Sequence, residues 1–233
     1  IRHDNEGWAD GYRMDIEYWE IWNEPDNEPV AAENPMWKGS MEEYFTLYEV
    51  TANHLKACFP HLKIGGYASC GFYEILNTAA AAHSGVSSRT GYFIEFFEKF
   101  LAHITAEGHE APLDFFSWHS YAGINENIAF AAYAREMLDK FGFTETESIL
   151  NEWNYVKEWG ENFGESLKVI HGMKGAAFVA ACMCTAQQSH IDMLMYYDTR
   201  QSVFNGAFDY YTYEKLKGYY PLYWYGMFYD MEK

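Results

Sequence analysis

A chain of 233 residues, 49% apolar and 19% aromatic, can bury a large core and is too rich in core-forming residues to stay disordered. Its formal net charge of −18 disfavours nucleic acid and anionic membrane surfaces, which want Lys and Arg clusters, so no nucleic-acid or membrane partner is expected, and it mildly disfavours polyanionic substrates. No apolar run reaches the roughly 18 residues of a membrane-spanning helix.

Residues 1–15 are polar, contain Gly7 and Gly11, and read as a loop leading into a first strand. That strand, 16–24, alternates aromatic and β-branched residues and ends at Asn23-Glu24-Pro25, because Pro25 cannot continue a central strand. Residues 25–39 carry Pro25, Pro29, Pro35 and Gly39 and form a long loop of the kind that often holds function. Ser40 and Glu43 form a capping box, so a helix starts there; Tyr44, Phe45, Tyr48, Ala52 and Leu55 keep helical spacing, and Pro60 ends it.

Residues 62–68 are the second strand. A weak helix at 74–82 and a loop at 83–88 follow. Tyr92, Phe93, Phe96, Phe97, Phe100, Leu101 and Ile104 mark a strongly amphipathic helix stopped by Gly108. The third strand is 113–121. A helix at 127–141 is expected to turn Ile128, Ala132, Met137, Leu138 and Phe141 inward. The fourth strand is 148–154, an Ala-rich helix covers 175–189, the fifth strand is 191–197, and a last helix occupies 219–231.

Strands alternating with helices, the strands nearly continuous in apolar residues, mean parallel strands covered by helices: an α/β chain. No glycine-rich phosphate loop follows any strand, so a nucleotide-binding doubly wound sheet is disfavoured and no cofactor is expected. Five βα units fit part of a (β/α)8 barrel, whose usual size is about 250 residues, and residues 1–233 read as a single partial barrel domain. The open edges of such a sheet predict closure by another chain or by further sequence.

Of the four cysteines, Cys182 and Cys184 resemble small core residues, and no pair has zinc-site spacing. The nine histidines are scattered; His54, His61, His83, His103 and His109 fall on helices or their ends and read as mostly solvated, which makes a metal-dependent hydrolase the weakest reading. The chain begins at Ile1 rather than Met, so its lack of a leader says nothing about localisation.

The chemistry-bearing residues gather at the C-terminal ends of strands: Asn23 and Glu24, His119 and Tyr121, Glu152, and Asp198. In a (β/α)8 barrel that end carries the active site. Glu24 and Glu152 sit in Trp- and Asn-bearing apolar segments, where burial raises a carboxyl pKa, as a general acid needs. Two carboxylates suffice for glycoside hydrolysis: a separation near 5 Å gives retention and a wider one inversion. Trp153 is either a flat platform for a sugar or a core residue, and Glu20, of the same parity as Glu24, is expected to be a buried charge in need of a basic partner. Carbohydrate binding without turnover is the alternative to hydrolysis.

Trp22-Asn23-Glu24-Pro25, His119-Ser120-Tyr121 and Asn151-Glu152-Trp153-Asn154 together resemble the (β/α)8 retaining glycoside hydrolase clan, and within it glycoside hydrolase family 39, the β-xylosidase and α-L-iduronidase family. The resemblance spans roughly residues 14–200 and implies a TIM barrel represented by about strands 4 to 8. It implies Glu24 as acid/base and Glu152 as nucleophile, three βα units apart. It further implies Asn23 at the sugar 2-hydroxyl, with His119 and Tyr121 lining the sugar site and orienting the nucleophile. Two features depart from the clan: an expected strand-two arginine has no counterpart, and Tyr197, followed by Asp198, stands where a Trp is common. Tyr197 and Asp198 are carried as substrate contacts; an oligosaccharide or glycoside is the expected partner.

Overall fold

The computed structural model describes residues 16–76, 89–229 and 231. Five parallel strands form one sheet in chain order: β1 (Tyr18–Glu20), β2 (Lys63–Ser69), β3 (Phe115–Ser120), β4 (Glu147–Trp153) and β5 (Met193–Tyr196). Between them run the helices α1 (Met41–Cys58), α2 (Arg89–Ile104), α3 (Ile124–Lys140), α4 (Phe163–His171) and α5 (Met173–Ala186); α6 (Tyr219–Tyr229) follows β5. This is the parallel βα succession expected of a partial barrel. Among the described residues β1 and β5 each have one free edge.

Helix α1 starts where the capping box placed it: Ser40 Oγ accepts from the Glu43 amide, and the Glu43 carboxylate accepts from the Ser40 amide. Its Tyr44 and Tyr48 are fully buried and pack with Phe96, Phe100 and Tyr67, while their hydroxyls donate to Ile21 O and Pro112 O. Phe97 of α2 stacks on Phe116 of β3 at 4.2 Å between centroids. These rings dominate one apolar core between helices and sheet. Gly65 stands in β2 opposite Phe115, where an added Cβ would meet the Phe115 carbonyl at 2.0 Å; close strand approach is the reason for glycine in this strand.

Several expectations need correction. β1 is much shorter than 16–24, because Trp22 (φ 74°) and Glu24 (φ 47°) take left-handed backbone angles and turn the chain out of the ladder. In α3 the buried stripe is Asn127, Phe130, Ala131, Ala134, Met137 and Leu138, with Ala132 exposed. The inward Asn127, which accepts from Ser120 Oγ at 2.5 Å, puts a polar residue in the stripe and so hid its phase. Helix α4 went unread, since Phe163–His171 opens without a side-chain cap and carries Gly164 in its first turn. Cys184 is exposed rather than core, and all four cysteines are free. Of the weak helix at 74–82 only the 3-10 turn Tyr73–Leu76 is described; the remainder, the loop at 83–88 and residues 1–15 lie outside the described residues. No single described helix is long and apolar enough to cross a membrane.

Candidate active site

The loop that β1 feeds is held by buried polar side chains. Asn34 Nδ2 donates to Pro25 O and Glu28 O, and its Oδ1 accepts from the Met36 and Trp37 amides. Asp26 is fully buried and accepts from Ser69 Oγ at 2.8 Å and from the Cys70 amide, which ties the Asn-Glu-Pro turn to the end of β2. The Glu24 amide donates to Tyr67 O and Ala68 O, so the turn is aimed by β2 rather than by its own strand.

Across β3 and β4, His119 and Glu152 are paired positions, after a register shift at Trp118. Glu24 therefore meets a ready pair. His119 Nδ1 lies 2.8 Å from Glu24 Oε1 and 3.8 Å from Glu152 Oε2. A ligating atom from each of Glu24, His119 and Glu152 falls within 4.8 Å of the others. Tyr121 OH donates a short hydrogen bond to Glu152 Oε1, and Asn27 Nδ2 donates to Glu24 Oε2 at 2.7 Å. These groups line a cavity of about 800 Å³ with Cys70, Tyr73, Arg89, Phe93, Trp159, Tyr197 and Phe204.

The electrostatics run against one expectation. Burial pushes the Glu24 carboxyl up, but the hydrogen bond and charge of His119, with help from Asn27, outweigh it and hold the group below its usual range. The partner shift is at His119. Burial alone would lower it, yet the bond to Glu24 and the charges of Glu152, Glu24 and Glu20 raise it. Both shifts favour the charged forms, imidazolium and carboxylate. Tyr121 is pushed up by burial and then by the Glu152 charge, so it stays a phenol and a donor.

Of the residues proposed from sequence, Glu24, His119, Tyr121, Glu152 and Tyr197 line this one cavity. Asn23 is half-buried and off that lining. Trp153 is 1% exposed and packs between Phe178 and Tyr196: strand alternation turns it to the helical side while Glu152 faces the cavity, so its place is in the core. Asp198 is also buried away from the lining, where it accepts from Ser202 Oγ and pairs with Arg200, bracing the loop after β5. Glu20 is an exposed residue by surface, yet burial is the largest influence on its carboxyl and raises it; Asn151 Nδ2 donates to it at 2.7 Å, and His119 is the basic group whose charge it feels.

The sequence reading missed Asn27, Arg89 and Trp159. Asn27 lies three residues beyond Glu24 in the proline-bounded loop, and that spacing was its only signal. Arg89 donates to Asn27 O and Oδ1 and pairs with Glu28. Trp159, 56% exposed, stacks on Phe163 and meets the Tyr121 ring edge-on, presenting an indole to the cavity.

The family model of glycosyl hydrolases family 39 matches residues 13–209. A curated relative, a beta-xylosidase of Geobacillus stearothermophilus, is 36% identical over 103 residues, which is 44% of this chain and 15% of the relative. Among solved structures, a glucosidase from Croceicoccus marinus superposes with a TM-score of 0.57 at 26% identity, covering 82% of this chain and 34% of that one. A GH39 beta-xylosidase from Caulobacter crescentus gives a TM-score of 0.61 at 19% identity, covering 90% and 41%, and shares the fold. The chain therefore spans well under half the length of these proteins, and its five parallel strands are part of a TIM barrel. With most of its length matched by that family model, the chain belongs to glycosyl hydrolases family 39.

Proposed function

We propose that this chain carries the reacting groups of a retaining glycosidase, with Glu24 as acid/base and Glu152 as nucleophile. The observation that carries the reading is the approach of the two carboxylates, oxygen atoms within 4.8 Å. That separation belongs to double displacement, in which the carboxyls stand about 5 Å apart, and leaves no room for the water of an inverting reaction.

The two oxygens of Glu152 are not equivalent. Oε1 accepts from Tyr121, so Oε2 is the oxygen free to attack the anomeric carbon. As that bond forms, the bond from carbon to the leaving oxygen breaks and Glu24 protonates the departing alcohol. The proton is at hand. In the ionised pair His119 Nδ1 carries it, and a shift along the 2.8 Å bond gives neutral imidazole and a carboxylic acid. In the second half, Glu24 takes a proton from water, the water oxygen bonds to the anomeric carbon, and the Glu152 carboxylate leaves. Trp159 and Tyr197 supply flat apolar faces for a sugar ring, the role considered for Trp153.

The names of the similar proteins make aryl xylosides and glucosides the first substrates to assay with the full-length protein. Glu24→Gln is expected to lose roughly 10²–10⁴ in turnover. Glu152→Gln should abolish formation of a glycosyl adduct seen by mass spectrometry. Full activity in both variants, or an inverted product anomer by NMR, sinks the assignment. A second reading, sugar binding without turnover by the chain alone, is favoured by the free edges of β1 and β5. Titration calorimetry with xylo-oligosaccharide beside the activity assay separates the two.

A further inference from the structure

A second cluster of ligating side chains lies on the helical layer. Glu49 is in the middle of α1, His103 in the last turn of α2, and His109 in the turn that leads to β3. His103 Nε2 and His109 Nδ1 each lie 2.9 Å from the same oxygen, Glu49 Oε2. The two imidazole centroids are 4.7 Å apart, and one ligating atom from each of the three residues falls within 4.8 Å of the others. The arrangement is held by bonds that do not involve the three side chains. The His109 amide donates to Ala106 O, and the Ala106 amide to His103 O. Gly108, at φ +85°, reverses the chain between the two histidines. Asn53 Nδ2 and Tyr48 OH of α1 donate to Glu110 O and Pro112 O, fastening the turn to the helix that carries Glu49. His103 and Glu49 are about one-fifth exposed and His109 about half, so the cluster is open to solutes.

We propose that Glu49, His103 and His109 bind a zinc ion, with water completing a tetrahedral shell. Two imidazole nitrogens and one carboxylate oxygen form a donor set suited to zinc and unsuited to magnesium or calcium, which take oxygen ligands. At zinc–ligand bonds of about 2.1 Å, tetrahedral ligands stand roughly 3.4 Å apart. Opening the two 2.9 Å contacts by about half an ångström brings the oxygen–nitrogen distances to that spacing, and the two nitrogens already lie within 4.8 Å of each other. Both imidazoles then turn a lone pair, in place of a proton, toward the centre. The ion would clamp α1 to the segment that enters β3, the strand whose end carries His119. The assignment does not depend on the proposed hydrolysis, because its readout is metal binding.

The test is calorimetric titration of the metal-stripped protein with zinc chloride, with the thermal midpoint measured in parallel. Wild type is expected to bind one zinc ion at this cluster and to gain thermal stability from it. His109→Gln, on a half-exposed side chain, and Glu49→Gln should each weaken binding by ~100-fold or more, since loss of even an outer-shell partner costs about 10–100-fold. Circular dichroism without zinc should be unchanged in His109→Gln. His119→Gln, at the other cluster, should leave this binding intact. Absence of zinc binding, binding lost in His119→Gln and kept in His109→Gln, or magnesium bound as tightly as zinc would each overturn the assignment.

Discussion

Replacing Asp26 by Asn probes the turn that presents Glu24. The Asp26 carboxyl is fully buried, and burial pushes it up to about 7, against bonds from Ser69 and the Cys70 amide that pull it down and with the Glu24 charge adding to the rise. Its ordinary value is 3.8. The folded chain therefore holds this proton more tightly than the unfolded chain does. The stability it contributes is complete below about pH 4, falls as pH rises toward 7, and is lost above that. About three pH units at 1.36 kcal/mol each set the upper limit at roughly 4 kcal/mol. Asparagine copies the protonated acid: its Oδ1 can accept from the Cys70 amide, and its amide can donate to Ser69 Oγ. Urea unfolding midpoints of both proteins at several values from pH 4 to 8 read the effect, since carboxylates not coupled to Asp26 cancel in the difference and Glu24 is the coupled one. The variant should match wild type near pH 4 and exceed it by a few kcal/mol at pH 8. A difference that does not change with pH would refute the reasoning.

Three further outcomes are expected. Tyr121→Phe removes the donor to Glu152 Oε1; a hydrogen bond to a charged group is worth about 1.5–3 kcal/mol, so kcat/KM of the full-length protein should drop roughly 10- to 150-fold, and an unchanged value would remove Tyr121 from the proposed site. The raised His119 group contributes stability that is complete below its ordinary 6.5 and is lost as pH rises through its folded value; His119→Gln should therefore lose most stability on the acid side of neutrality, which chemical unfolding at pH 6 and pH 9 measures. The free edges of β1 and β5 predict that the chain alone self-associates or pairs with the remainder of a barrel, and size-exclusion chromatography showing a compact solitary monomer would count against it.

The parallel α/β plan was legible because its signals are local. The capping box at Ser40 and the ring stripe of α2 fix two helices without reference to any neighbour. Glu24 and Glu152 could be placed together because one lies in the turn beyond β1 and the other near the end of β4, and those ends meet on one side of a parallel sheet. What stayed hidden depended on contacts distant in sequence. Trp153 and Glu152 are adjacent, and only the β3–β4 register decides which of them faces the cavity. Asp198 turned inward because Ser202 and Arg200 receive it. Arg89 reaches the site through Asn27, 62 positions away, and Trp159 through a helix the periodicity did not reveal. The lowered Glu24 carboxyl was unreadable for a similar reason, as its imidazole partner lies 95 positions away.

The left-handed angle of Glu24 has a consequence for the trade between activity and endurance. A glutamate at φ 47° gives up roughly 1–2 kcal/mol to the clash of its Cβ with the backbone, a cost that glycine escapes and asparagine partly does. Glu24→Gly would recover that backbone cost but forfeit the bonds to His119 and Asn27, so its unfolding midpoint reads which of the two is larger. Selection for backbone ease alone would drift away from glutamate at this position. What favours glutamate there in spite of its backbone is the carboxylate, through its bonds to His119 and Asn27 and the proton transfer proposed for it.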